Sequence, residues 1–148
     1  MIKIGIITND HPNTDPSIRI LAEVAPNFNS KVVILKPSLW RKNPTVDIIY
    51  PRISPDSSEK RFLKYFNFYK KLAAKKSAVY VNAPENLAIA YDKYKMVKLV
   101  EKIGLAVPKT KLVEKREDLR AFADEFGFPL VVKELHGHGG AGVTWPKI

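Results

Sequence analysis

A chain of 148 residues, 45% hydrophobic and 27% charged, holds enough apolar material for one ordinary core plus part of another, and its composition is neither that of a disordered nor of a membrane-embedded protein. The absence of cysteine excludes disulfide staples, zinc–cysteine clusters and thiol nucleophiles, leaving any metal to oxygen or histidine ligands. A formal charge of +10 raises the question of a polyanionic partner, but the lysines are spread along several predicted helices, at Lys60, Lys64, Lys70, Lys71, Lys75 and Lys76 and again at Lys93, Lys95, Lys98 and Lys102. Solvated helix faces are the expectation, and nucleic acid the exception.

Lys3 to Thr8, KIGIIT, is a β-branched run suited to a buried parallel strand. It lacks the long apolar region and cleavage site of a signal peptide, and no apolar run approaches bilayer length, so a cytoplasmic location without membrane contact is expected. After the polar loop NDHPNTD, Asp15 should cap a helix with Pro16 at its first position; Ile18, Leu21, Ala22 and Ala25 recur at helical spacing until Pro26 ends the element. Lys31 to Leu35 is a second strand, and Val46 to Tyr50 a third, closed by Pro51. Ser57 or Ser58 opens the longest helix, reaching about Lys76. Its Phe62, Tyr65, Phe66, Phe68, Tyr69 and Leu72 cover a wide arc, which suits a core helix and leaves room for a homo-oligomer contact through the same helix. Ala78 to Val81 is a fourth strand. Strands alternating with helices imply βαβ units and a parallel sheet.

The pattern changes near Ala83 to Glu85, which divides the chain into residues 1–83 and 84–148. Pro84 and Glu85 open a short helical segment. Asp92 then caps a helix with an apolar stripe of Met96, Val97, Val100 and Ile103, and Gly104 supplies its left-handed stop. A brief strand is expected over Thr110 to Val113, a helix over Asp118 to Phe126 ended by Gly127, and a strand over Phe128 to Leu135, so the second part reads as a small α+β unit.

That last strand runs into HGHGGAGV, a loop suited to lie against phosphate, because glycine lets consecutive N–H groups turn toward one anion. A nucleoside-triphosphatase P-loop needs Lys-Ser or Lys-Thr after the final glycine, and Val143 stands there instead. Gly137, Gly139 and Gly142 meet the dinucleotide spacing, but that motif must open a helix, and the following Val143 to Ile148 contain Pro146. A glycine hairpin between antiparallel strands fits better, with Val143, Thr144 and Trp145 as the returning strand.

IIYPRIS at 48–54, YVNAPENLAIAYDK at 80–93, GLAVPKT at 104–110 and GFPLVVKELHGHGGAGV at 127–143, in that order, resemble the ATP-grasp superfamily, and within it the RimK-like ligases. The resemblance implies a Rossmann-like, parallel-sheet pre-ATP-grasp domain followed by the first ATP-grasp lobe. It implies a family activity in which ATP and magnesium convert a small-molecule or peptide carboxylate to an acyl-phosphate that an amine attacks. It further implies that Lys93 and Lys133 approach the ATP phosphates or adenine edge, that Gly137, Gly139, Gly140 and Gly142 cover the β and γ phosphates, and that Arg52 faces the acceptor. The family's adenine hinge and magnesium carboxylates are not matched in this sequence, so no metal ligand is assigned, no catalytic residue is assigned, and weak or absent ATP binding by this chain is expected.

Plainer readings stand beside these. Lys133 could snorkel from an edge strand, Lys93 is one lysine among many, Asp92 is a helix cap, and His136 and His138 are polar loop residues. Arg52 could be a structural ion-pair partner. A truncated, non-catalytic binding or oligomerisation module of the same fold is the alternative to a ligase portion, and a nucleic-acid-binding protein is the third class.

Overall fold

The computed structural model describes residues 1–10, 15–39, 41–54, 59–75, 77–136, 140 and 142–146. Two compact units result, Met1–Leu87 and Ala88–Ile148.

In the first unit, β1 (Ile2–Thr8), β2 (Ser30–Leu35), β3 (Ile48–Arg52) and β4 (Val79–Tyr80) form one parallel sheet in the order β2-β1-β3-β4. β1 lies inside, with Ile6 opposite both Ile34 and Tyr50. A strand covered on both faces needs apolar residues at consecutive positions, and Ile6 and Ile7 are both fully buried. Gly5 is a close-approach position: a Cβ there would stand 2.7 Å from Leu35 Cδ1 and 2.9 Å from Val46 Cγ2.

Helix α1 (Pro16–Val24) begins as its sequence dictates. Asp15 accepts from the N–H of Ser17 at 2.8 Å and of Ile18 at 3.4 Å, with Pro16 in the first turn. α1 stops at Val24, just before Pro26, as expected, and a separate 3-10 turn over Ala25–Phe28 follows, closed by Asn29 at φ 50°. Proline is tolerated there because the first turn of a helix has no partner for that N–H in any case. β3 is displaced by two residues from its expected span and includes Pro51 and Arg52. β4 pairs only with Ile48 and Ile49, so the edge of β3 facing β4 is open by the time the chain reaches Pro51, where a missing donor is harmless.

Helix α2 (Glu59–Ala73) buries Phe68 and Tyr69, so these two rings belong to the core; the expected ends at Ser57, Ser58 and Lys76 lie outside the described residues. Tyr69 Oη donates to the Asn82 carbonyl. Burial, aided by neighbouring Tyr80 and Glu85, pushes its phenol up to about 12.

The second unit carries α4 (Lys93–Lys102), α5 (Arg116–Phe126) and a two-stranded antiparallel pair, β5 (Val132–Lys133) with β6 (Val143–Thr144); a short helix, α3 (Pro84–Ala90), spans the change from one unit to the other. Asp92 caps α4 by accepting from Lys95 N–H at 3.0 Å, and Gly104 follows it at φ 83°. Asp118 reaches back to the N–H groups of Glu114 and Lys115 at the start of α5, and Gly127 ends it at φ 74°. Two expected strands are corrected. Thr110 to Val113 is extended and exposed with no ladder, and Phe128 to Leu135 contracts to β5. β-branched residues make a strand only where a neighbour supplies hydrogen bonds, and among the described residues none does so there.

Candidate functional site

Two separate locations carry the candidate residues. In the first unit, the connections from β1 lead to β2 on one side while β3 lies on the other, so the strand order reverses between β1 and β3. In open parallel sheets, ligands bind beyond the carboxyl ends of the strands at such a reversal. Thr8, the last residue of β1, is in register with Arg52, the last of β3. Just beyond them, the fully buried Asn9 donates from Nδ2 to Ser54 O at 2.7 Å and accepts from Ser54 N–H at 2.6 Å. This amide clamp fixes the two strand ends.

Arg52 donates from Nε to Asp15 Oδ2 at 3.0 Å, and its Nη2 lies 2.9 Å from the same oxygen. Asp15 therefore has two tasks, capping α1 and holding the guanidinium. Burial alone would raise the Asp15 carboxyl, but the Arg52 hydrogen bond and charge and the N–H groups of Ser17 and Ile18 outweigh it, leaving the pKa below its ordinary value. Burial likewise works against the Arg52 charge, and Asp15 more than offsets it. The Arg52 side chain remains 39% exposed against 8% for Asp15. Arg52 is thus a structural ion-pair partner whose outer surface stays accessible at the strand-order reversal.

In the second unit the hairpin anticipated from the glycines is present. Glu134 N–H donates to Gly142 O at 3.0 Å, and Val143 N–H to Gly140 O at 3.3 Å. Gly140 and Gly142 have φ of 83° and 68°. Gly142 is required by its φ; a Cβ there would also fall 2.4 Å from Cδ of the exposed Glu134 side chain, which can turn aside. Gly137 and Gly139, like His138, lie outside the described residues.

The start of α4 is tied to the end of β5. Lys93 N–H donates to Leu135 O at 3.2 Å, and Lys93 Nζ donates to Glu134 O at 2.9 Å and to Leu135 O at 3.5 Å. His136 Nδ1 is 2.8 Å from Tyr91 O, a geometry that requires the proton on Nδ1. Lys93, Lys133, Gly140 and Gly142 therefore share one hairpin and its root, with Lys133 exposed across from Val143. Lys93 is turned onto backbone carbonyls, and Asp92 has its plain role as a cap, with Lys95 beside it at 3.3 Å. Arg52 stands in the other unit. The Asn9–Ser54 clamp and the Glu134 contact under Gly142 were not anticipated. Only the position of Asn9 directly after a strand hinted at the former.

Residues 90–147 match the family described as the RimK-like ATP-grasp domain. Across nearly the whole chain, the fold matches a RimK-domain ATP-grasp protein of Sphaerobacter thermophilus, with a TM-score of 0.65, 18% identity and coverage of 95% of this chain and 52% of that one. Residues 90–147 are thus similar to that family, and the fold of the chain is that of ATP-grasp proteins. Other ATP-grasp folds agree: carboxyaminoimidazole ribonucleotide synthase of Aspergillus clavatus, solved with ATP, gives a TM-score of 0.68 at 15% identity, covering 97% of this chain and 41% of that one. In sequence, the carbamoyl phosphate synthase large chain of Deinococcus deserti is 35% identical over 71 residues, 48% of this chain and 7% of that protein. The chain spans about half the length of the RimK-domain structure it matches and a small part of the synthase.

Proposed function

We propose that this chain supplies the acceptor-facing and first nucleotide-facing parts of an ATP-dependent carboxylate–amine ligase. The observation that carries the proposal is the α4–β5–β6 cluster, in which a glycine hairpin with two left-handed residues stands beside Lys133 and is rooted by Lys93. Backbone N–H groups at such glycines can converge on an anion, and a lysine at the strand end adds charge where a phosphoryl group needs neutralising. ATP, when bound, supplies the phosphoryl group that makes an acceptor carboxylate reactive toward an amine. Within this chain, Lys133 and the hairpin amides hold phosphate oxygens. Lys93 keeps the hairpin root in place through its carbonyl contacts. Arg52, oriented by Asp15, presents its accessible side to an acceptor carboxylate.

Magnesium is a different matter. Among the described residues no group of three or more His, Asp or Glu side chains is placed to hold a metal ion, so the residues present do not fit that ion and no step is derived through it. The ligase portion should accordingly depend on a second lobe for its metal and for clamping nucleotide. A non-catalytic module of this fold is the competing reading, favoured by the same missing cluster. Millimolar ADP added to isotope-labelled protein should move the amide resonances of Lys93, Lys133, Gly140 and Gly142. Shifts confined to other residues, or none at saturating nucleotide, would refute the placement.

A further inference from the structure

Helix α1 buries Ile18, is followed by buried Ala25 and half-buries Leu21, and at about 100° per residue these three lie along one side. Ile20 and Val24 lie along another, 56% and 41% exposed, and Phe28, in the 3-10 turn that follows, is 72% exposed. Single exposed apolar residues are ordinary. Two large ones four apart are neighbours on a helix surface, however, and with Phe28 beyond them they make an apolar ridge where a surface helix is normally polar. α2 differs, since Leu63 is its one exposed large apolar residue among those described.

The charges beside the ridge point to what covers it. Arg19 and Glu23 are both exposed and follow one another along its flank, and neither side chain has an ion-pair partner among the described residues. Within one helix, an opposite-charge pair four apart gains less with the cation first than with the anion first. Two copies of α1 laid antiparallel about a twofold axis change this. Ile20 of one copy then meets Val24 of the other, and Arg19 of one faces Glu23 of the other, twice over. Opposite charges four apart on one flank are what an antiparallel self-pairing requires, and like charges there would oppose it.

We propose that this face of α1 binds a second copy of the chain, forming a weak twofold-symmetric dimer. A helix of nine residues is about 14 Å long. Even with Phe28 at its margin, the pair stays near the lower limit of about 1,000 Å² for a specific interface, so the association is transient. The formal charge of +10 on each copy opposes it at long range, and the contact depends on the local match. A membrane surface would need cations massed beside the apolar ridge, whereas the one arginine on this flank is balanced by one glutamate.

The test is sedimentation equilibrium of the whole chain at physiological salt, from about 10 µM to about 1 mM, the range in which a small interface forms. The mean mass should rise from 16.8 kDa toward twice that value. Ile20→Gln with Val24→Gln should hold it at the monomer mass, with α-helical circular dichroism retained. Arg19→Glu sets like charges together at both contacts and should weaken the dimer about tenfold, as should Glu23→Arg. An equimolar mixture of these two variants should regain the parent affinity, because both unlike pairs re-form between them. Total charge predicts the opposite for Arg19→Glu, which lowers the net charge, and a tighter dimer in that variant would overturn the proposal. So would a monomer at every concentration, association unchanged in the glutamine pair, or a mixture no tighter than its components. A monomeric parent captured by phosphatidylcholine vesicles, with capture lost in the glutamine pair, would overturn it in favour of a membrane surface.

Discussion

Asp15→Ala removes the cap of α1 and the partner of Arg52 in one change, and the two parts separate cleanly. Losing a cap that accepts from Ser17 and Ile18 N–H costs about 1 kcal/mol, within a range of about 0.5–2. The ion pair lies between two regimes, since Asp15 is nearly covered and Arg52 is partly wet. It should be worth more than an exposed pair, at most about 1 kcal/mol, and less than the 3–5 kcal/mol of breaking a fully buried one; about 1–2 kcal/mol is a fair figure. The total is then about 2–3 kcal/mol. Asp15→Asn keeps a capping oxygen and loses the charge, so it should cost about half as much. Urea titrations followed by far-ultraviolet circular dichroism give the differences directly.

The pH dependence follows from the direction of the shift. Asp15 is lowered in the folded state, so its charge-dependent stabilisation is complete above the unfolded value near 3.8 and is lost as pH falls through the lower folded value. Parent and Asp15→Asn should therefore differ at pH 7 and converge in strong acid. A double-mutant cycle with Arg52→Ala should show coupling of about 1 kcal/mol. An unchanged stability of the Asn variant at pH 7 with no coupling to Arg52 would refute the ion-pair part; equal costs for the Asn and Ala variants would refute the cap.

Gly5→Ala places a methyl group against Leu35 and Val46, 2.7 and 2.9 Å away. As the obstacles are side-chain ends that can shift slightly, a loss of about 1–3 kcal/mol is expected from the urea midpoint of the first unit. Gly142→Ala combines a φ of 68° with a 2.4 Å approach to Glu134, whereas Gly140→Ala meets nothing within 4 Å and bears only its φ of 83°. Hydrogen exchange should accordingly show the amides of Glu134 and Val143 losing protection in both variants, with a modest excess in the first.

Local chemistry was legible wherever a residue acts on its own backbone. Asp15 with Pro16, Asp92, Gly104 and Gly127 marked helix ends correctly because caps and left-handed stops depend on adjacent atoms alone. The β5–β6 hairpin followed from glycines bounded by β-formers. Tertiary effects were not legible. Pro51 reads as the end of β3 yet lies inside it, because whether a missing N–H matters depends on a neighbour that sequence does not reveal. Thr110 to Val113 has strand composition and no ladder partner among the described residues. The expected loop glycines Gly137 and Gly139 lie outside the described residues, and the contacts of the Lys93 ammonium with the Glu134 and Leu135 carbonyls are tertiary and have no signal in the sequence.

Isothermal titration of this chain with magnesium-ATP, paired with a phosphate-release assay, bears most directly on whether it is one side of a two-sided nucleotide clamp. Weak heats or none, with no phosphate released, are predicted for the chain alone. Tight binding accompanied by turnover would contradict the account, because a chain with no metal-holding cluster among its described residues would then be sufficient.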